Sequence, residues 1–176
     1  MRHLFLALFA LPLLAACASL SEDECRAGDW HEIGVNDGTK GRTADYVRTH
    51  AKACADYGVR PDVKTWERGR QVGLTAYCTP QNAYREGSRG RRLSPVCPAS
   101  DLANLLAAND RGLDLYDLES EIDAMDRQIN DIRDTLAGLD VDDPQRSALG
   151  AELRFLQLRL LQLEARRMRY TRVTFP

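Results

Sequence analysis

Several features that would assign this 176-residue chain to a familiar functional class are missing from its sequence. The formal net charge is −2, so there is no excess of basic residues to favour binding to nucleic acid. The apolar run at the start, Leu4–Leu14, has eleven residues and is too short for a permanent helix across a bilayer. These two absences argue against a nucleic-acid-binding protein and against a membrane-spanning one.

Signatures of common enzyme classes are missing as well. The chain has no G-x-S-x-G, P-loop, H-E-x-x-H or dinucleotide-binding pattern. The acidic residues and histidine of the central segment have no spacing that forces two of them into one cleft. We therefore predict that the protein is not an enzyme, and we name no catalytic residue, metal ligand or cofactor. The residues considered and rejected are Asp29, Glu32, Asp37, Asp56 and His50.

What the sequence does contain begins with an export signal at residues 1–16. Arg2 and His3 form a short basic start, the apolar run follows, and small residues precede the expected cut. The segment from Leu14 to Cys17 resembles the lipobox of bacterial lipoproteins, which implies cleavage before Cys17 and acylation of its sulfur and amine. The alternative is an ordinary signal peptide that leaves one unpaired cysteine in an oxidising compartment.

The residue after the acylated cysteine bears on the location of the protein. In known lipoproteins an aspartate at that position favours retention in the inner membrane, whereas this chain has Ala18. By that analogy we expect a lipid anchor in the outer membrane, with the protein facing the periplasm.

The remaining cysteines are Cys25, Cys54, Cys78 and Cys97, an even number in an exported chain. Their wide spacing disfavours a zinc site, because structural zinc ligands usually come in close pairs. We therefore predict two disulfides. The expected helix directions favour the pairs Cys25–Cys78 and Cys54–Cys97.

Turn and helix signals divide the segment between these cysteines. Glycines after Trp30 predict a looped arm up to residue 42, with His31 in a turn. Three helices should follow, beginning after Thr43, after Asp62 and at Thr79–Pro80, with His50 on the surface of the first. In the second helix, Gly69 and Gly73 lie four residues apart, which predicts the close approach of another backbone.

Glycines, aromatic residues and cysteines follow one another in a distinctive order: Gly28-Asp29-Trp30, Ile33-Gly34, Asp37-Gly38, Gly41, Cys54, Tyr57-Gly58, Trp66, Gly69, Gly73-Leu74, Tyr77-Cys78, Tyr84, Gly87, Gly90 and Cys97-Pro98. This series resembles the bacterial lipoproteins grouped under domain of unknown function 2799. The resemblance covers residues 17–120, and it departs from the family at Leu93, where an aromatic residue is common. It implies a lipid anchor and a cysteine framework, and it brings no established activity.

A basic stretch lies between the third and fourth of these cysteines. Arg85, Arg89, Arg91 and Arg92 stand among small residues and predict a mobile basic loop. Such a loop is either simply solvated or a binding site for anionic envelope material, because guanidinium groups bind phosphate oxygens bidentately.

The character of the chain changes after residue 99. Ser100 can cap a helix, and apolar residues then recur at spacings of three and four, which is typical of a coiled coil. Asp143-Pro144 begins a second such helix. Residues 100–143 have thirteen acidic and three basic residues, whereas residues 144–176 have two acidic and seven basic. Two helices of opposite charge favour a hairpin within one chain. The repeating positions are Leu115, Leu118, Ile122, Met125, Ile129, Ile132 and Leu136, then Leu149, Leu153, Leu156, Leu160 and Leu163.

The sequence thus predicts an all-α protein with a small disulfide-stapled helical domain and a long antiparallel coiled-coil hairpin. Its parts are a signal at 1–16, a lipidated tether at 17–27, the cysteine domain at 28–98 and the hairpin at 99–176. Phe155, Leu158 and Leu161 widen the apolar surface of the last helix, so they should cover the cysteine domain or meet a partner.

Three functional classes remain from the sequence. We favour a non-catalytic envelope lipoprotein that holds a protein partner through its hairpin. A binding module for cell-wall or lipid polymers that uses residues 85–92 is the alternative, and an enzyme is the third.

Overall fold

The computed structural model describes residues 18–170, and in that range it contains helices and no β-strand, which confirms the all-α fold. The expected signal and Cys17 lie outside the described residues. The described residues divide into two compact units, residues 18–75 and residues 76–170. The α-helices are α1 (Glu22–Ala27), α2 (Trp30–Thr39), α3 (Val47–Cys54), α4 (Val63–Tyr77), α5 (Pro80–Gly87), α6 (Leu102–Gly138) and α7 (Gln145–Arg167).

Trp30–Thr39 form the helix α2, so the prediction of a looped arm in this part of the chain is wrong. Asp29 caps it, since its carboxylate accepts a hydrogen bond from the backbone N–H of Glu32 at 3.3 Å. Gly34 and Gly38 gave the loop prediction, but they are four residues apart and both are buried on one face of the helix. His31 accordingly lies in α2 and not in a turn.

These glycines let α2 and α4 touch backbone to backbone. A Cβ atom at Gly69 of α4 would overlap the backbone carbonyl of His31, and one at Gly73 would overlap that of Val35. The predicted close approach at Gly69 and Gly73 is therefore confirmed, and its partner is α2. Since residue numbers increase together along both contacts, the two helices run parallel.

The predicted disulfide pairing is wrong, although the prediction of two disulfides is confirmed. Cys25 pairs with Cys54 and Cys78 pairs with Cys97, with Cα atoms 5.5 Å apart in both bridges. The error follows from α2. Because α2 carries the chain away and α3 brings it back, Cys54 at the end of α3 returns to Cys25. The first bridge thus lies in the first unit and the second bridge in the second unit.

The second unit repeats the close helix contact with α5 and α6. A Cβ at Gly87 would overlap the backbone carbonyl of Asn109, and one at Gly112 would overlap that of Tyr84. The chain between the end of α5 and the start of α6 lies against α6, where the buried side chain of Asn109 holds it through hydrogen bonds. Its amide nitrogen donates to the carbonyls of Ala83 and Arg91, both at 2.9 Å.

The predicted hairpin is formed by α6 and α7, with 37 and 23 residues. The turn between them is held by Arg146, which donates to the carbonyls of Leu136 and Leu139 at 2.7 and 2.9 Å. Asp143 accepts from the backbone N–H of Gln145 at 2.8 Å, but Pro144 occupies the cap position of α7 that we expected for Asp143. The expected Ser100 cap is wrong, because Asp101 occupies the cap position. Apolar residues of both helices share one cluster: Leu118, Ile122, Met125, Ile129, Ile132, Leu156 and Leu163, with Leu136, Leu149, Leu153 and Leu160 at its edge.

These apolar residues form the seam between α6 and α7, and Ile129 is one of them, with an exposed fraction of 1%. Substitution of Ile129 tests whether the seam holds the two helices together. We expect Ile129→Asp to lower the free energy of unfolding by about 3 kcal/mol or more, because a charge is buried without a partner. Ala124→Asp places the same charge on the exposed side of α6 and should change it little. Circular dichroism during thermal unfolding measures both. Equal melting of the two variants would contradict the seam.

Candidate functional site

A chain of hydrogen bonds through buried side chains is the main polar feature of the first unit. His50 is 2% exposed, and its Nε2 lies 2.7 Å from Oδ2 of Asp37. The indole N–H of Trp66 donates to the same carboxylate oxygen at 2.8 Å. On the other side of the imidazole, Nδ1 lies 2.9 Å from the hydroxyl of Ser19. Four side chains from four parts of the chain are thereby connected.

Helix packing brings these groups together. Asp37 lies near the end of α2, His50 lies within α3, and Trp66 lies in the first turns of α4, where it is fully buried. Tyr46 packs edge-on against the His50 ring at 5.1 Å between centroids. The site is therefore a product of the close contact between α2 and α4, with α3 packed beside them.

The connection that leads into α3 is fixed by a buried arginine. Arg70 of α4 donates to the backbone carbonyl of Arg42 at 3.0 Å. Two further nitrogens of Arg70 donate to Glu67, at 2.7 and 2.8 Å. These hydrogen bonds hold the pKa of Glu67 below its usual value. Glu67 therefore stays ionised and keeps the Arg70 guanidinium in place.

The order serine, histidine, aspartate is that of a hydrolase triad, but the details favour a structural role. Nε2 of His50 forms a hydrogen bond with the Asp37 carboxyl group and Nδ1 forms one with the Ser19 hydroxyl, so both ring nitrogens have a partner. The same Asp37 oxygen also accepts from Trp66, and the imidazole is buried. In this arrangement the imidazole connects the N-terminal segment to the domain core.

The N-terminal segment is held at a second point beside Ser19. Leu20 is 7% exposed and joins the cluster around Trp66 and the Cys25–Cys54 bridge. Ser21 then caps α1 through a reciprocal pair of hydrogen bonds with Glu24. Residues expected to form a tether are thus folded, beginning two positions after Cys17.

Sequence reasoning placed His50 on a helix surface, and this was wrong. The residue shares its helix face with Val47 and Cys54, both buried, and that spacing was the signal for a buried histidine. The structure brings Asp37 and His50 together, whereas Asp29 caps α2. No spacing along the chain revealed the convergence with Trp66, because it depends on the contact between α2 and α4.

The arginines of residues 85–92 are arranged around one acid. Both Arg91 nitrogens in contact with Glu86 donate to its carboxylate at 2.7 Å, and Arg89 lies 3.7 Å from it. These hydrogen bonds hold the pKa of Glu86 below its usual value, so its charge persists and offsets theirs. Backbone hydrogen bonds from Arg91 to Glu86 and from Gly90 to Gly87 close the turn.

The predicted mobile basic loop is therefore replaced by the end of α5 and a hydrogen-bonded turn. Arg85 belongs to α5 and donates to the side chain of Asn82 at 2.7 Å. Within the described chain, Arg92 makes no ion pair and its side chain remains exposed. Arg85, Arg89 and Arg91 thus all lie near Glu86, and Arg92 is separate from this group.

The central part of the chain is similar to a known protein family. Residues 29–114 match the model of a family described as "Protein of unknown function (DUF2799)". This segment is similar to that family. The match is narrower than the expected 17–120. Neither a curated protein nor a solved structure matches the chain.

The matched segment contains most of the structural features described above. It begins at the cap of α2 and ends at Asp114, two residues after Gly112 of the second helix contact. Asp37, His50 and Trp66 all lie within it, whereas Ser19 and most of the hairpin lie outside. Among residues 18–170, no helix is both long enough and apolar enough to cross a membrane.

Substitution of Asp37 tests the polar chain. Asp37→Ala leaves the buried N–H groups of His50 and Trp66 without an acceptor, and we expect a loss of about 2–4 kcal/mol in the free energy of unfolding. The exposed Asp56 of the same unit is the control, and Asp56→Ala should change stability by no more than about 0.5 kcal/mol. Urea unfolding followed by tryptophan fluorescence measures both. Similar values for the two variants would show that the polar chain contributes little.

Proposed function

We propose that this protein is a non-catalytic lipoprotein of the outer membrane, anchored through lipid on Cys17 and facing the periplasm, whose hairpin holds a protein partner. The observation that carries the proposal is an apolar surface on the outward face of α7. The seam between α6 and α7, which we expect to pack as a coiled coil, leaves that face available.

Three large apolar side chains form this outward face. Phe155, Leu158 and Leu161 are 64%, 63% and 61% exposed, whereas the seam residues Leu156 and Leu163 are buried. At roughly 100° per residue, the exposed residues lie on the side of α7 opposite the seam. Exposed apolar residues clustered on one helix face are typical of an interaction surface.

Charge indicates what kind of partner fits this face. Arg154 is exposed beside Phe155, whereas Glu152 is turned toward α6 and accepts from Gln128 at 3.3 Å. The inner face of α7 already pairs with an acidic helix, and Arg159 donates to Glu121 across that pair at 2.9 Å. By the same complementarity, the partner is an amphipathic helix with an apolar stripe flanked by acidic residues.

The two other functional classes are less well supported. In the basic turn at residues 85–92, the Glu86 carboxylate accepts hydrogen bonds from Arg91 and lies near Arg89. This negative charge reduces the net positive charge that could attract an anionic polymer. An enzyme that used Ser19 as its nucleophile would need the neighbouring histidine within reach of the substrate, but the imidazole of His50 is only 2% exposed. A fluorophosphonate probe distinguishes these readings, because labelling of Ser19 would contradict the non-catalytic proposal.

Photo-crosslinking in intact cells tests the partner. A photoreactive residue at Leu158 should give one discrete protein adduct, whereas the same residue at the exposed Ala124 of α6 should not. Peptide mapping should place the crosslink in a helical segment with acidic flanks, and Arg154→Glu should reduce the yield. Adducts of equal yield from both positions, or none from Leu158, would contradict a docking face on α7. An adduct of twice the chain mass would assign the face to a second copy.

The anchor has a separate test. Cys17→Ala should remove labelling by a fatty acid and release the protein from the outer-membrane fraction, because the acyl chains supply the attachment. The wild-type chain should incorporate the label and sediment with outer membrane. A wild-type protein without label, distributed in the same way as the variant, would refute the lipid anchor.

A further inference from the structure

We propose that Arg111, Arg166 and Arg169 form a binding site for a phosphate ester. The three side chains line a cleft of about 300 Å³ in the second unit, together with Asp114 and Tyr170. Arg111 and Asp114 belong to α6, whereas Arg166 lies in the last turn of α7 and Arg169 just beyond it. No residue of the outward face of α7 or of residues 85–92 lines this cleft.

Unpaired positive charge is the first argument. Within the described chain, none of these three guanidinium groups makes a hydrogen bond or an ion pair, unlike Arg159 and Arg91 of the same unit. The lining residues, three arginines and Asp114, carry a net charge of +2. Like charges placed together repel, and a bound anion would remove that repulsion.

The way the cleft is held together is the second argument. The hydroxyl of Tyr84 on α5 donates to the backbone carbonyl of Tyr170 at 3.2 Å, across 86 positions of the chain. Burial raises the pKa of Tyr84, so its hydroxyl remains a donor. This bond fixes the end of α7 beside α6, and α6 is itself fixed to α5 at Gly87 and Gly112. The arginines thus converge through a defined set of contacts.

A favourable interaction with the helix dipole does not account for this cluster. A cation in the last turn of a helix is stabilised by the dipole, and that explanation suffices for Arg166 alone. Arg111 lies ten residues into α6, far from either end of that helix. Arginines that come together from two helices can bind one anion through several guanidinium groups, each of which can donate two hydrogen bonds.

The charge and the size of the cleft indicate the class of ligand. A phosphate monoester carries about −1.5 to −2 at neutral pH, which matches the net charge of the cleft. A volume of about 300 Å³ is near the lower limit for small-molecule sites and exceeds what a bare phosphate needs. The ligand is therefore a phosphate ester on a group about the size of a sugar, either free in solution or the headgroup of a lipid.

Titration of the full mature chain at low ionic strength, followed by NMR of the arginine side chains, tests this site. Glucose 1-phosphate should bind and shift the signals of Arg111, Arg166 and Arg169, whereas glucose should not. Arg111→Gln and Arg169→Gln should each weaken binding roughly tenfold, since each removes a charge-assisted hydrogen bond. Asp114→Asn should strengthen binding, because it removes the one negative charge. Arg127→Gln, an exposed arginine elsewhere on α6, is the control and should bind as the wild type does.

A vesicle experiment distinguishes the two sources of the phosphate. Retention on phosphatidylcholine vesicles that contain phosphatidic acid, lost in Arg111→Gln, would support the site and assign its phosphate to a lipid headgroup. Binding of glucose 1-phosphate without such retention would assign it to a soluble ester. Binding weakened equally by Arg127→Gln, or binding to neither probe, would overturn the proposal.

Discussion

Direct contact between helix backbones, at positions where only glycine fits, is the constraint on which this structure depends. Such contact occurs between α2 and α4 in the first unit and between α5 and α6 in the second. At Gly34 an added Cβ would lie 2.9 Å from the backbone nitrogen of Arg70, and at Gly73 it would lie 2.7 Å from that of Thr39. Neither backbone can move aside as a flexible side chain could.

The polar chain and the cleft both follow from these contacts. Asp37 can accept from Trp66 because α2 and α4 are close enough for an indole to reach across. Tyr84 can reach the end of α7 because α5 lies directly on α6. The Cys25–Cys54 and Cys78–Cys97 bridges then close each unit separately, and loops of this size can stabilise such small units by about 3–4 kcal/mol.

The sequence predicted elements whose signals are local. Thr79-Pro80 begins α5, Asp143-Pro144 precedes α7, and the seam repeats at regular spacing, so each could be read without knowledge of the tertiary structure. The prediction was wrong at α2, because glycines such as Gly34 and Gly38 are common in turns. Their function as contact positions depends on Gly69 and Gly73, which lie more than thirty residues away. The wrong disulfide pairing followed from that error, and so did the missed convergence of Asp37 with His50.

Substitution of single glycines measures the central constraint most directly. We predict that Gly73→Ala lowers the free energy of unfolding by about 2 kcal/mol or more, since the added methyl group overlaps α2. Gly150 is the control, because it lies inside α7 with only the tip of Arg154 near its Cβ position, at 4.0 Å. Gly150→Ala should stabilise the hairpin by about 0.5–1 kcal/mol, the difference in helix propensity. Chemical unfolding of both variants gives these values. If Gly73→Ala stabilises the protein as Gly150→Ala does, then α2 and α4 do not pack backbone to backbone.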